Sequence, residues 1–319
     1  MGRTPGAGPS ENSRESSVIR TEIAALRLRA AAPSLWKLTN THDTAWRGAA
    51  PELLRIERPA DIDPERRPML FVHGVEYREE SEVVRDLILP FEQSAGLNSV
   101  KDRYDYYFLS WNSLLFTDEL RQRLKSSLTL RLEVFGRGVF AWRDFLADIE
   151  RRGREAAEYL APFFSELLAA SPLVRPVVLT HSIGSYVWSH MIAQMARDGR
   201  LPERGPGNWW NMQAAVPRSA YCPGGEFADV PRVYNGQPDA TMMLWYSRMD
   251  FILSTLYLLA KPGLAMGQFG SPNRHIVQRD ITRWAGEAHG QNRIVDGSGH
   301  YFTRVRQLVR SESSAFGLV

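Results

Sequence analysis

From about residue 52 onward, short apolar segments alternate with longer segments of helical spacing. The strand candidates are LLRIERP, PMLFVHGV, DRYDYYFLSW, PVVLTHS, WNMQAAVPR, ATMMLWYSRMD and HIVQRDITRW. The helix candidates are SEVVRDLILPFEQSAG, ADIERRGREAAEYLAPFFSELLAASP, SYVWSHMIAQMARDG and YFTRVRQLVR. Parallel strands are buried on both faces and therefore appear as apolar runs, and the intervening helices complete βαβ units. We predict an α/β fold with a mostly parallel central sheet flanked by helices.

Two segments fall outside this alternation. Residues 1–18 are polar and rich in Gly, Pro and Ser, which indicates a flexible N-terminal tail. Residues 114–144 mix helical spacing with alternating apolar positions between Leu128 and Val134, so we treat them as a helical, basic insertion. The rest of the chain shows no internal repeat. We therefore predict that residues 19–319 form a single domain that carries this insertion.

A short helical pattern near the N-terminus places Ile19, Ile23 and Leu26 on one face. It predicts a helix that lies on the core. A mitochondrial presequence is the alternative, but the glutamates in this region argue against it, because such peptides avoid acidic residues.

Composition and charge narrow the range of partners and compartments. The net charge of +3 is small for 319 residues and no long Lys/Arg run occurs, so we expect no nucleic-acid partner. Cys222 is the single cysteine, which excludes an intrachain disulfide and fits a reducing compartment. The N-terminus lacks the apolar core of a signal peptide, and no apolar run approaches the about 18 residues that span a bilayer. These observations predict a cytoplasmic protein.

The candidate chemistry begins with the sequence Thr180-His181-Ser182-Ile183-Gly184, where a buried strand candidate runs into a helix candidate. A nucleophile elbow reads Gly-x-Ser-x-Gly and exposes its serine hydroxyl at such a strand-to-helix turn. The N–H of Ile183 would lie at a helix N-terminus, whose partial positive charge suits an oxyanion. Gly184 permits the close backbone approach that the turn requires, and Thr180 stands in place of the first glycine.

A nucleophilic serine also needs a second oxyanion donor, a base and an acid. The strand FVHGV ends in His73 and Gly74, which makes the N–H of Val75 the candidate donor. Asp250 follows an apolar strand candidate at its carboxyl end, where α/β sheets gather functional groups. It could also serve as the N-cap of the following helix. The weaker acid candidates, in loops with no strand leading in, are Asp229 and Asp239.

For the base, the glycine-flanked loop of RIVDGSGHYF favours His300, because glycines let that loop reach over the sheet edge. The competing histidines are His275 and His289, neither of which lies in such a loop. His73 precedes the strand of the elbow and is not expected to be the base.

From about residue 66 to its end the chain resembles the α/β-hydrolase superfamily, and in particular serine hydrolases and lipases with a His-Ser-x-Gly elbow. The resemblance is carried by FVHG, YYFLSWNS, LTHSIGSYV, YSRMDFILS and GSGHYF, with GLAMGQFG as a further similarity. It implies an α/β-hydrolase fold and a triad in the chain order Ser182, Asp250, His300. His73, Gly74, His181 and Gly184 would support these motifs. Thr180 and Ile183 depart from the pattern, where glycine and methionine are common.

The triad implies hydrolysis of carboxylic esters, as in esterases and lipases, with no metal and no cofactor. The expected partner is a small-molecule or lipid ester, and the oligomeric state is left open. A catalytically silent scaffold for protein or lipid binding is the alternative. A further hypothesis is peripheral membrane contact through FILSTLYLLA and the part of the insertion around Arg121 to Phe140, although core or dimer surface is the favoured interpretation of both. The tryptophans that could line an acyl pocket or simply pack are Trp111, Trp142, Trp209 and Trp210.

Overall fold

A computed structural model describes most of the chain that carries these motifs. Apart from isolated positions, the described residues are 32–39, 52–63, 65–75, 79–96, 103–115, 139–170, 175–201, 206–235, 240–261, 263–289 and 301–315. The predicted tail, most of the predicted N-terminal helix and most of the predicted insertion lie outside them. Residues 139–144, at the end of the predicted insertion, form the start of a long helix, Val139–Ala170.

The chain forms an α/β fold around one eight-stranded sheet. The strands are β1 (Ser34–Leu38), β2 (Leu53–Ile56), β3 (Arg67–Val72), β4 (Tyr104–Ser110), β5 (Val177–His181), β6 (Asn208–Met212), β7 (Met242–Tyr246) and β8 (Val277–Asp280). Their spatial order is β2-β1-β4-β3-β5-β6-β7-β8. From β4 onward the pairings are parallel, whereas β1 pairs antiparallel with both β2 and β4. The predicted mostly parallel sheet is therefore confirmed, and β1 is a strand that the apolar pattern missed.

Helices cover both faces of this sheet. They are α1 (Glu80–Val83, a π-helical segment Val84–Ile88, and Leu89–Ala95), α2 (Val139–Ala170), α3 (Gly184–Arg197), α4 (Val230–Tyr234), α5 (the π-helical Leu253–Tyr257 and Leu258–Ala260), α6 (Met266–Phe269), α7 (Thr282–Ala285) and α8 (Tyr301–Ala315). A 3-10 turn spans Pro59–Asp61. Helix α1 ends at Gly96, whose φ of 73° is the left-handed conformation that a glycine C-cap supplies.

Successive side chains of the central strands point to opposite faces of the sheet and pack into two apolar cores. On one face, Leu70, Val178 and Leu244 pack with side chains of α2, α3 and α5. On the other, Phe71, Leu179 and Trp245 pack with side chains of α1 and α8. Both faces are buried, which is why these strands are apolar at nearly every position. The carboxyl ends of β5, β6 and β7 meet at one edge of the sheet, and the candidate residues gather there. Within the described residues no helix is both long and apolar enough to cross a membrane.

Candidate active site

Ser182 lies at the sharp turn between β5 and α3, in a backbone conformation that non-glycine residues rarely adopt. Its φ is 55°, in the left-handed region. The Ser182 N–H donates to the carbonyl of Met212 at 3.0 Å, and its own carbonyl accepts from Ala215 at 3.1 Å. The end of β6 therefore holds the serine backbone on both sides. A strained residue that its surroundings hold this firmly is characteristic of functional positions.

Thr180, the departure from the elbow pattern, has a defined structural role beneath this turn. Its hydroxyl accepts a hydrogen bond from the indole N–H of Trp209 at 2.8 Å and lies 3.0 Å from the hydroxyl of Ser185. Ser185 in turn donates to the side-chain oxygen of Asn211 at 2.6 Å. All four residues are buried. A glycine at position 180 would leave the Trp209 donor without this acceptor.

Two glycines let the end of β3 approach the elbow. A Cβ atom on Gly184 would lie 2.2 Å from the carbonyl oxygen of Val72 and 2.6 Å from that of His73. A Cβ atom on Gly74 would lie 2.9 Å from the Cβ of Ser182. Both positions therefore require glycine for close packing.

The imidazole in contact with Ser182 belongs to His289. Its Nε2 lies 2.8 Å from Ser182 Oγ, and its Nδ1 lies 2.6 Å from Asp250 Oδ2. A carboxylate only accepts hydrogen bonds, so Nδ1–H donates to Asp250 and Nε2 accepts from the serine hydroxyl. All three side chains are buried, with Asp250 fully so. The arrangement is a Ser-His-Asp relay in hydrogen-bond contact throughout.

The histidine that contacts Ser182 in this geometry is His289, whereas the sequence pattern favoured His300 as the base. Residue 300 itself lies outside the described residues, and His275 is exposed. His289 reaches the site because the loop after α7 is bound to the sheet edge: Ser247 donates to the carbonyl of Gly286 at 2.6 Å, and Phe251 donates to that of Glu287 at 3.2 Å. The sequence signal that could have found it is its position in the segment that follows the last strand candidate, since active-site groups follow strand ends.

Asp250 combines the two roles that the sequence left open. Its Oδ1 accepts from the N–H of Leu253 at 3.0 Å, so it caps the start of the helical segment that contains α5. Its Oδ2 accepts from His289 and also from the side-chain amide of Gln213, at 2.7 Å. Of the weaker acid candidates, Asp229 is exposed and paired with Arg232, and Asp239 lies outside the described residues.

The two expected oxyanion donors lie beside the serine. Ile183 is the N-cap residue of α3, so its N–H belongs to the end of the helix that has no intrahelical acceptors. Val75 follows the close contact between Gly74 and Ser182. Neither N–H donates a hydrogen bond to any residue that the structure describes. Both are therefore available to a substrate oxygen, with the helix dipole favouring a negative charge at Ile183.

His73 and His181 surround the site as neutral groups. Burial lowers the pKa of His73 to about 4, partly offset by its hydrogen bond to the carbonyl of Gly74. The pKa of His181 lies well below its usual value, first because of burial and then because of the neighbouring His289 and His73. The rings of His181 and His289 are 5.0 Å apart. The two flanking imidazoles therefore add no positive charge beside the relay.

Gln213 is a site residue that sequence reasoning missed. It lies just beyond β6, is completely buried, and has a φ of 46°. Its amide Nε2 donates to Asp250 Oδ2 and, also at 2.7 Å, to the carbonyl of Ala288 next to the base. The segment GLAMGQFG explains part of this placement, because a Cβ on Gly267 would lie 2.2 Å from the Gln213 carbonyl carbon. A lone glutamine after a strand carries no motif that would have identified it.

A cavity opens at Ser182 between α2 and α5. Its walls include Val75 and Ile183 beside the serine and Trp142 from α2. Of the other tryptophans considered for an acyl pocket, Trp111 stacks on His73, and Trp209 and Trp210 are buried in the core. Among the described residues no group of three or more His, Cys, Asp or Glu side chains could hold a metal ion.

No protein-family model matches this chain, and a search of curated proteins found no match.

Proposed function

We propose that the protein is a serine hydrolase of the α/β-hydrolase type that cleaves small-molecule or lipid carboxylic esters through an acyl-enzyme. The observation that carries the proposal is the unbroken hydrogen-bonded relay from Asp250 through His289 to Ser182, on a serine with left-handed backbone geometry. A strained elbow, an imidazole in the required tautomer and a buried carboxylate together meet the requirements for an activated serine. The mostly parallel eight-stranded sheet is compatible with this type of fold.

In the acylation step, Ser182 Oγ attacks the ester carbonyl carbon while His289 Nε2 takes the hydroxyl proton. The carbonyl oxygen becomes negatively charged and accepts hydrogen bonds from the N–H groups of Ile183 and Val75. Asp250 stabilises the imidazolium that forms, without itself taking the proton. His289 then protonates the leaving alkoxide, the bond between carbon and the alcohol oxygen breaks, and the acyl group remains on Ser182.

In the deacylation step, water is the nucleophile and Ser182 is the leaving group. His289 removes a proton from the water as it attacks the acyl carbon, and the same two N–H groups hold the second oxyanion. Collapse of this intermediate breaks the bond to Ser182 Oγ, which regains its proton from His289 and releases the acid. Each backbone donor lost from such a site typically reduces the rate about a hundred- to a thousandfold.

Hydrolysis of p-nitrophenyl butyrate by Ser182→Ala and Asp250→Asn variants tests the proposal. We expect Ser182→Ala to lower kcat by at least about a thousandfold, since it removes the nucleophile. Asp250→Asn should lower kcat about ten-thousandfold, because an amide favours the wrong tautomer of His289. The matched control is Ser219→Ala, at an exposed serine, which should retain full activity.

Full activity in Ser182→Ala would contradict the proposal. A folded wild-type protein that hydrolyses no ester would instead support the alternative of a silent scaffold.

A further inference from the structure

The cavity beside Ser182 has walls that restrict what it can hold. Apart from Ser182 and Tyr257, its described lining consists of aliphatic side chains, alanines and one tryptophan, and none of these lining residues carries a charge. An ionised group placed there without a partner would lose its hydration and gain nothing in return.

The cavity is built from facing sides of two helices. Trp142, Leu146 and Ile149 recur at helical spacing along α2 and form one wall. Leu256 and Ala260 of α5 form part of the opposite wall. The two proposed oxyanion residues, Val75 and Ile183, line the same cavity beside the serine. A substrate carbonyl bound between their N–H groups therefore has its acyl chain directed between the helices.

We propose that this cavity is the acyl site and that it selects uncharged, apolar acyl chains. The inference rests on the proposed function and adds its substrate class. Each methylene that leaves water for an apolar cavity contributes a nearly constant free energy, so kcat/KM should rise about fourfold per added methylene until the cavity is full. A terminal carboxylate on the same chain should abolish this gain.

The test compares p-nitrophenyl acetate, butyrate, hexanoate and octanoate with the mono-p-nitrophenyl ester of adipic acid, whose acyl chain ends in a carboxylate. We expect kcat/KM to rise from acetate to hexanoate and the adipate ester to be at least about a hundredfold poorer than hexanoate. Leu146→Trp should move the optimum to a shorter chain. The matched control is Phe163→Trp, elsewhere on α2 and outside the cavity lining, which should leave the optimum unchanged.

A flat or falling series from acetate to hexanoate, or adipate hydrolysed as well as hexanoate, would overturn the acyl-site inference while leaving the hydrolase proposal intact. Absence of turnover with every ester, together with no labelling of Ser182 by a small fluorophosphonate, would overturn both. An optimum that Leu146→Trp fails to move would also contradict the assignment of this wall.

A second inference concerns Gln213, and different contacts carry it. The Nε2 group has two hydrogens, and the structure gives each an acceptor: the Asp250 carboxylate and the carbonyl of Ala288. Both acceptors lack hydrogens, which fixes the orientation of the amide. One side chain beyond β6 thus ties the acid, located after β7, to the loop that carries the base. We infer that Gln213 is a positioning residue that sets the distance between Asp250 and His289.

Gln213→Glu tests this role because it keeps the shape and replaces the donor with a second carboxylate. We expect kcat to fall about ten- to hundredfold, the usual effect of losing a hydrogen bond to a charged group, with KM for hexanoate little changed.

Gln278→Glu is the matched control, because Gln278 also makes paired hydrogen bonds, but to Ser271, away from the relay. It should change neither kcat nor KM for hexanoate. A wild-type kcat in a folded Gln213→Glu protein would overturn the inference. If that variant does not fold, the nearly isosteric Gln213→Met replaces it, and wild-type kcat in Gln213→Met would overturn the inference equally.

Discussion

Ser182 and the residues beneath it illustrate how much local support an unfavourable backbone conformation needs. A serine in the left-handed region costs about 1–3 kcal/mol. Hydrogen bonds to Met212 and from Ala215 hold its backbone. The Thr180 hydroxyl holds the side chains that pack beneath the turn. The threonine thus supplies an interaction that the more common glycine lacks.

Thr180→Val tests this anchoring, because it preserves the shape and removes the hydroxyl. The indole N–H of Trp209 would remain buried without its acceptor, so we expect the free energy of unfolding to fall by about 1–3 kcal/mol. Urea denaturation measures the change. Thr180→Ser keeps the hydroxyl and serves as control, and its loss should be clearly smaller. Equal losses in the two variants would show that the methyl group, not the hydrogen bond, matters at this position.

Sequence reasoning predicted some residues of the candidate site and missed others for identifiable reasons. Ser182 and Asp250 each follow an apolar strand that the pattern predicts, so their meeting at the sheet edge follows from the fold class. His289 depends on the path of the loop after α7, which tertiary hydrogen bonds to the sheet edge and to Gln213 determine. Local glycine content, which favoured His300, does not report such contacts.

At the scale of elements, the parallel strands and main helices were predictable because their apolar periodicity is strong. The strand β1 was missed, since five residues containing one lysine form too short a pattern. Helix α2 begins at Val139, earlier than the pattern suggested. The sequence indicated a close contact between the end of β3 and the start of α3 through two glycines, Gly74 and Gly184. The reason for these glycines is the close approach of the backbones, which only the structure reveals.

Gly184→Ala tests this close contact between α3 and β3. The new Cβ would lie 2.2 Å from the backbone oxygen of Val72, which cannot move without shifting β3. We expect the free energy of unfolding to fall by about 1–3 kcal/mol or more, with loss of ester hydrolysis as the elbow moves. Gly224→Asn is the control, because asparagine tolerates the φ of 80° at this position and an added Cβ there would meet no atom within 4 Å. A Gly184→Ala protein as stable as wild type would contradict the close contact.

At the scale of the whole molecule, the sheet buries apolar side chains on both faces and, at its carboxyl edge, encloses three histidine rings. Two of these, His73 and His181, are neutral because burial disfavours their charged forms. An unfolded chain would bind protons at these residues near pH 6.5. Folding stability is therefore linked to pH through groups that surround the site.

This linkage predicts that the folded protein becomes less stable as the pH falls. Between about pH 6.5 and about pH 4 the unfolded chain binds a proton at His73 that the folded protein does not, so stability falls as pH falls through this window. At about pH 5 the contribution of His73 alone is a loss of about 2 kcal/mol relative to neutral pH. Urea denaturation across this range should become less pH-dependent in His73→Asn and stay unchanged in the exposed His275→Asn. Equal slopes in wild type and His73→Asn would refute the assignment.

The most direct test of the account is the rate at which a fluorophosphonate probe labels Ser182, with the adduct located by peptide mass spectrometry. Wild type and His300→Ala should label at similar rates on the peptide that contains Ser182. His289→Ala, verified as folded by circular dichroism, should label far more slowly because its serine has no base. Fast labelling of His289→Ala together with loss of labelling in His300→Ala would contradict the relay described here.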